Sequence, residues 1–202
     1  GSDADPGLAA RVRPLPGPAG PELRFWIAAV RELFEETGVL LARDAAGRPA
    51  PESGRDPELA RWREELLADA ATLADLLAAG TWTIDLTDTV FCAHWITPTV
   101  EPRRYDTRFF LARLPARREI ATDPREMTDA VWLAPRTALE RCRAGRLPMV
   151  FPTIRTLEAI APFSSVDAAL AAFRGRTIHP VLPTLVRTPD GVGIIVDDPP
   201  TP

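Results

Sequence analysis

"VRELFEETGV", residues 30–39, sets three glutamates, Glu32, Glu35 and Glu36, beside Arg31 and closes on Thr37-Gly38. At 3.6 residues per turn the three carboxylates fall within about a third of a helix circumference. Ile27, Val30 and Phe34 lie on the opposite side. The stretch therefore predicts a helix with one packed face and one acidic face. Trp26, Ile27, Val30, Leu33 and Phe34 carry the apolar spacing back toward residue 22, and Gly38 suits a left-handed stop just past the last turn. Like charges at these spacings cost only ~0.2–0.5 kcal/mol per pair. That is small enough to leave two readings open: a solvated acidic face, or carboxylates gathered for a purpose.

Composition narrows the purposes. The chain has 202 residues, 46% of them hydrophobic in type, enough for one well-cored domain or a domain with an added subdomain. Net charge is −4 and no stretch is strongly basic, which argues against a protein that coats nucleic acid. No apolar run is long enough to span a bilayer, so no membrane partner is expected. Cys92 and Cys142 lack metal-ligand spacing and point to a reduced, cytoplasmic setting. All 24 basic residues are arginine. Any fixed positive contact to a substrate must therefore be Arg, and a Schiff-base lysine is excluded.

Along the chain, residues 1–21 are rich in Pro, Gly and Ala and read as an irregular lead-in. A helix is expected over 22–37, a short strand in "VLLA", and a loop over 44–57. Residues 57–79 predict one amphipathic helix or a pair, with Leu59, Trp62, Leu66, Leu73 and Leu76 as the stripe and Gly80 as the stop. Strand-like runs follow: "TWTIDL" (81–86), "VFCAHWI" (90–96), "RYDTRFFLARL" (104–114) and "DAVWL" (129–133). Helices are expected near 135–144, 153–161 and 165–173. The tail reads as a hairpin within 180–197, turning at Pro189-Asp190-Gly191. The mixture predicts an α/β/α layered single domain over 1–202, with a helical insert at 57–80.

The string from Arg31 to Val39, Arg-Glu-Leu-Phe-Glu-Glu-Thr-Gly-Val, resembles the C-terminal half of the Nudix box. The resemblance implies that Glu32, Glu35 and Glu36 hold a divalent cation, Mg²⁺ or Mn²⁺, at the diphosphate of a nucleoside diphosphate derivative. Hard cations of this kind take oxygen ligands. Arg31, one turn before Glu35, is placed to orient it. The upstream half of the box departs from the family: Gly17 falls at the Gly spacing, but Leu23 stands at the Glu position and Glu22 one residue early. The family's first strands are not evident in residues 1–21, so N-terminal strands are expected to be missing from the sheet.

"HWITP" (94–98), "PRRYDTRFFLARLP" (102–115) and "EMTDAVWLAP" (126–135) resemble one branch of that family, the coenzyme A diphosphatase-like group with a long helical insert. The branch implies hydrolysis of a diphosphate in coenzyme A or acyl-coenzyme A. Nucleotide sugars, dinucleotides, or a binding module without turnover are the alternatives. It also implies that Glu126 lies near the metal as a further ligand or the base. In an extended segment, Arg104, Asp106, Arg108 and Phe110 share one face. Arg104 and Arg108 either bind substrate phosphate or pair internally with Asp106. His94 either contacts substrate or is a satisfied residue of the strand. The 57–79 arm caps the cleft, packs within the chain, or makes a homodimer through Trp62 and the Leu stripe.

Overall fold

A computed structural model of the chain describes residues 6–17, 20–114, 120, 130–188 and 191–196. The elements fall into two units, Gly1–Asp88 with Arg113–Val131, and Thr89–Ala112 with Trp132–Pro202.

In the first unit the acidic stretch is helix α2 (Leu23–Thr37), preceded by α1 (Pro6–Ala9) and strand β1 (Val12–Arg13). Trp26, Ile27, Val30 and Phe34 are buried along one side of α2, and Leu33 is half-buried. The expected irregular lead-in is corrected here. Leu8 and Val12 are both 0% exposed, so two apolar side chains draw a short helix and strand out of a Pro- and Gly-rich stretch. Burying each contributes ~1.5–3 kcal/mol, more than local propensity opposes.

Strand β2 (Ala42–Arg43) and β3 (Thr83–Asp85) complete a three-stranded sheet in the order β1-β3-β2. It is mixed: β1 runs parallel to β3, with Val12 opposite Ile84, and β2 runs antiparallel, with Ala42 opposite Ile84. Arg43 pairs across the ladder with Asp85.

The expected arm is a pair of helices, α3 (Pro57–Leu67) and α4 (Leu73–Ala79). Asp56 caps α3 by accepting from the Glu58 and Leu59 amides at 2.9 and 3.1 Å, and Pro57 occupies the first turn, where no amide is needed. Thr72 and Asp75 form a reciprocal capping box at the start of α4. Gly80 follows α4; a Cβ there would lie 1.9 Å from the Trp82 indole nitrogen. The predicted stripe needs one correction. Leu59, Leu66, Leu73 and Leu76 are buried, but Trp62 is only half-buried, and Arg63 is buried instead. The Arg61 guanidinium lies 4.6 Å from the Trp62 ring, covering it from the outer side.

In the second unit, β4 (Thr89–Ile96) and β5 (Asp106–Ala112) pair antiparallel, with a bulge between Phe91 and Ala93. Helices α5 (Pro135–Arg143), α6 (Phe151–Ile160) and α7 (Val166–Phe173) follow. Val90, Cys92, Ala159, Leu170 and Phe173 form its core, with Phe109 and Leu111 packed against it. Trp95 is 2% exposed and donates to the Thr156 hydroxyl at 3.3 Å. The tail is the expected hairpin, β6 (Thr184–Thr188) with β7 (Gly191–Ile195), Thr188 opposite Gly191. The turn residues Pro189 and Asp190 lie outside the described residues.

The described part of "DAVWL", residues 130–133, is not a strand. Residues 130–134 have no regular secondary structure. Val131 and Trp132 stay 55% and 43% exposed, so the burial that makes β-propensity count is not realised. The α/β class stands as expected; among the described residues the strands form one mixed sheet and two antiparallel pairs.

Gly38 ends α2 at φ 72°, its amide donating to the Phe34 carbonyl at 2.8 Å. A side chain in this left-handed conformation is strained by ~1–2 kcal/mol. Gly38→Ala should lower unfolding stability by about that amount in urea with an unchanged slope. A neutral substitution would show that the turn relaxes freely.

Candidate functional site

The carboxylates sit at the worse end of their helix. Glu35 and Glu36 occupy the last turn of α2, where the backbone dipole is already negative, and that turn carries no basic residue. Two arginines answer this. Arg31 reaches along the helix and holds both Glu32, at 2.6 Å, and Glu35, at 2.7 Å. The Glu35 side chain is 14% exposed and the Glu32 side chain 53%, so the first contact is well sheltered and the second faces water. Arg63, from α3, binds the backbone instead: Nε donates to the Glu35 carbonyl at 2.8 Å and an Nη to the Glu36 carbonyl at 2.9 Å. With Gly38 on the Phe34 carbonyl, three of the carbonyls left over at the helix end have donors. The Thr37 hydroxyl adds a bond to the Leu33 carbonyl at 2.5 Å.

Arg63 was not among the residues expected to matter. Within "RWREELL" it reads as one more surface charge. The available signal was spacing: positions 59, 63 and 66 share one helical face, so an arginine stands inside a leucine stripe. A buried guanidinium implies fixed acceptors nearby.

The donor chemistry of Glu32, Glu35 and Glu36 suits a hard divalent cation. The side chains of Glu32 and Glu35 are paired with Arg31. Among the described residues, no three His, Cys, Asp or Glu side chains are grouped so that they could hold an ion. The set fits a cation in chemistry, provided Arg31 releases or shares Glu35. Glu126 lies outside the described residues.

The remaining expected residues gather on the β4–β5 ladder. His94 is opposite Arg108, and Ile96 is opposite Asp106. The bulge at Cys92 brings Phe91 onto the face that carries His94; their ring centroids are 6.2 Å apart. His94 Nε2 hydrogen-bonds Asp106, and Arg108 meets the same carboxylate oxygen at 3.2 Å. Of the two readings of Arg108, the internal pair with Asp106 is the one formed. Arg104 does not join it; its Nε donates to the Thr97 carbonyl at 3.1 Å. On the other face, burial pushes the Cys92 thiol up to about 12, and Cys92 donates to the Phe109 carbonyl at 3.3 Å, so it stays protonated.

The NUDT19 Nudix domain model matches residues 6–159, and the chain belongs to the Nudix family. The human protein named acyl-coenzyme A diphosphatase NUDT19 is 30% identical over 186 residues, covering 85% of this chain and 48% of that protein. Its Gallus gallus namesake is 31% identical over 183 residues, covering 83% and 48%. The crystal structure of a NUDIX hydrolase from Alicyclobacillus acidocaldarius superposes with a TM-score of 0.68 at 30% identity, covering 84% of this chain and 75% of that one. The chain spans about half the length of the curated relatives it matches. The match begins at residue 6, so α1 and β1 belong to the region shared with the family. Among the described residues no helix is long and apolar enough to cross a membrane.

The hydrogen bond from His94 is the largest influence on the Asp106 carboxyl; burial opposes it, and with the charge of Arg108 added the carboxyl is held below its ordinary range. A carboxyl lowered on folding stabilises above its unfolded pKa, ~4, and loses that contribution as pH falls through the folded value. The melting-temperature gap between wild type and Asp106→Asn should therefore collapse as pH falls below ~4. A gap that does not narrow at all between neutral pH and the onset of acid unfolding would show that Asp106 ionisation does not stabilise the fold.

Proposed function

We propose that the chain hydrolyses a diphosphate linkage in a nucleoside diphosphate derivative, with coenzyme A or an acyl-coenzyme A as the substrate class. The observation that carries this reading is α2: an Arg-Glu-x-x-Glu-Glu run held at the end of a packed helix, in a chain whose family match spans it. The names of the human and Gallus gallus relatives support the acyl-coenzyme A assignment.

In this reading Glu32, Glu35 and Glu36 hold Mg²⁺ or Mn²⁺, and Arg31 keeps Glu32 and Glu35 oriented between turnovers. A divalent cation there supplies charge neutralisation on the phosphoryl oxygens and lowers the pKa of an attacking water. Water adds to one phosphorus, the bond from that phosphorus to the bridging oxygen breaks, and the bridging oxygen leaves with the other phosphate. For coenzyme A, this separates an adenosine phosphate from a phosphopantetheine part. A glutamate takes the water's proton; Glu35 and Glu126 are the candidates. Arg104, Arg108 and His94 contribute substrate contacts, with Arg108 exchanging its bond to Asp106 for one to phosphate.

One observation favours a second reading, a binding module without turnover: Arg31 engages two of the three carboxylates, in the manner of a self-contained ion-pair network. Product analysis separates the two. With Mg²⁺ and a panel of coenzyme A, acyl-coenzyme A, a nucleotide sugar and a dinucleotide, mass spectrometry should find two phosphate-bearing fragments from the coenzyme A compounds. Glu35→Gln keeps size, helix propensity and an oxygen acceptor for Arg31. Its melting temperature should stay within a few degrees of wild type, while kcat falls about 100-fold or more. Full turnover in this variant would remove Glu35 from the chemistry. Intact ligand recovered from the wild type across the panel would favour the binding module.

A further inference from the structure

We infer that Arg63 is a positioning residue for the carboxylate cluster, and that the 57–67 helix serves to hold the acidic end of α2 in place. The inference rests on the proposed cation-binding role of Glu32, Glu35 and Glu36, and concerns a residue bonded to the backbone carbonyls of two of them.

Arg63, 7% exposed, is the one buried charged residue among the described residues. Removing a guanidinium from water is expensive unless fixed acceptors meet it. It meets the carbonyls of the same two residues, Glu35 and Glu36, whose side chains are the proposed ligands. A planar fork spanning two consecutive carbonyls fixes that peptide unit more tightly than a single bond could. Its own base is also fixed. Leu59 and Leu66, buried on the same face of α3, lie one turn before and after Arg63, and the Asp56 cap sets where that helix starts. From the other side, the Ser53 amide donates to the Gly38 carbonyl at 3.2 Å. The last turn of α2 is thus held by a charge from outside the helix. That charge opposes both the dipole and the repulsion that would otherwise fray the turn carrying the carboxylates.

The test reads cation affinity in the free protein, without substrate. Mn²⁺ binding is measured by titration calorimetry for wild type, Arg63→Ala, Arg63→Lys and Leu66→Ala, each well below its melting temperature. Leu66→Ala removes packing from the same helix and leaves the carbonyl contacts in place, so it controls for lost stability. Arg63→Ala should weaken Mn²⁺ binding about tenfold or more, the scale seen when a group that orients metal ligands is lost. Arg63→Lys, with a point charge able to serve one carbonyl well, should fall between; it carries the test if the alanine variant does not fold. Leu66→Ala should melt lower yet bind Mn²⁺ as wild type does. Wild-type affinity in both Arg63 variants, or equal weakening in Leu66→Ala, would overturn the positioning role and leave the cation reading standing. A wild type that binds no Mn²⁺ would overturn the cation reading and this inference with it.

Discussion

The C-terminal turn of α2 joins two electrostatic burdens that most helices avoid combining. The backbone presents unpaired carbonyls, equivalent to about half a negative charge. The sequence adds Glu35 and Glu36 at that end, with Glu32 one turn back, and places no basic residue in the last turn. Each like-charge pair and each acidic residue at the wrong end costs a few tenths of a kcal/mol to ~1 kcal/mol. Of the helix's two arginines, Arg24 pairs with Glu22 at the far end and Arg31 meets the cluster, in the Arg-to-Glu order that suits the dipole less well than the reverse. The remainder is met from outside, by Arg63 on the carbonyls. On the proposed reading, α3 braces the acidic turn through Arg63, which stands between the buried Leu59 and Leu66.

The two arginines divide the work by what they can reach. Arg31 lies on α2 and moves with it, so it can trade Glu35 for another partner without disturbing the backbone. Arg63 is buried and bonded to carbonyls, which neither titrate nor move independently of the helix. A cation replacing Arg31 at the carboxylates would therefore meet a turn already in position. On the proposed reading, one arginine is an exchangeable counter-ion and the other is a fixed brace. Lysine would serve the first role better than the second, since only a guanidinium spans adjacent carbonyls as a plane.

What the sequence disclosed depended on whether an element is decided locally. The extent of α2, its apolar face and its Gly38 stop follow from periodicity and from a single residue's freedom at positive φ, and all three are found. The β4–β5 ladder and the tail hairpin likewise announce themselves by alternation and turn residues. Elements decided by partners were not legible. Val12–Arg13 is a strand because Ile84 and Asp85 lie beside it, 72 positions later in each case. Residues 130–134 have the composition of a strand and are not one. Arg63 fails as a sequence prediction for the same reason: its acceptors are main-chain atoms of Glu35 and Glu36, invisible to any reading of side-chain types. The placement of Glu32, Glu35 and Glu36 on one helix was legible because it is carried by one contiguous string, whereas His94 and Arg108 became a cluster only through the register that sets them opposite each other.

That register bears on chemistry as well as on folding. A regular ladder would alternate faces strictly, and Phe91 and His94, three apart, would point to opposite sides. One extra residue at Cys92 resets the alternation. Phe91, His94, Arg108 and Phe110 then share a face, while Val90, Cys92, Phe109 and Leu111 serve the core of that unit. The bulge separates a face that must stay apolar from one that can carry an imidazole, a carboxylate and a guanidinium. Asp106 ties His94 and Arg108 together at one oxygen. A phosphate approaching that face would compete with Asp106 for Arg108, and His94 would keep its carboxylate partner. On the proposed reading, internal pairing and phosphate contact would be successive states of the Arg108 side chain, and the Asp106 carboxylate that holds it in the first state would set the electrostatic threshold for the second.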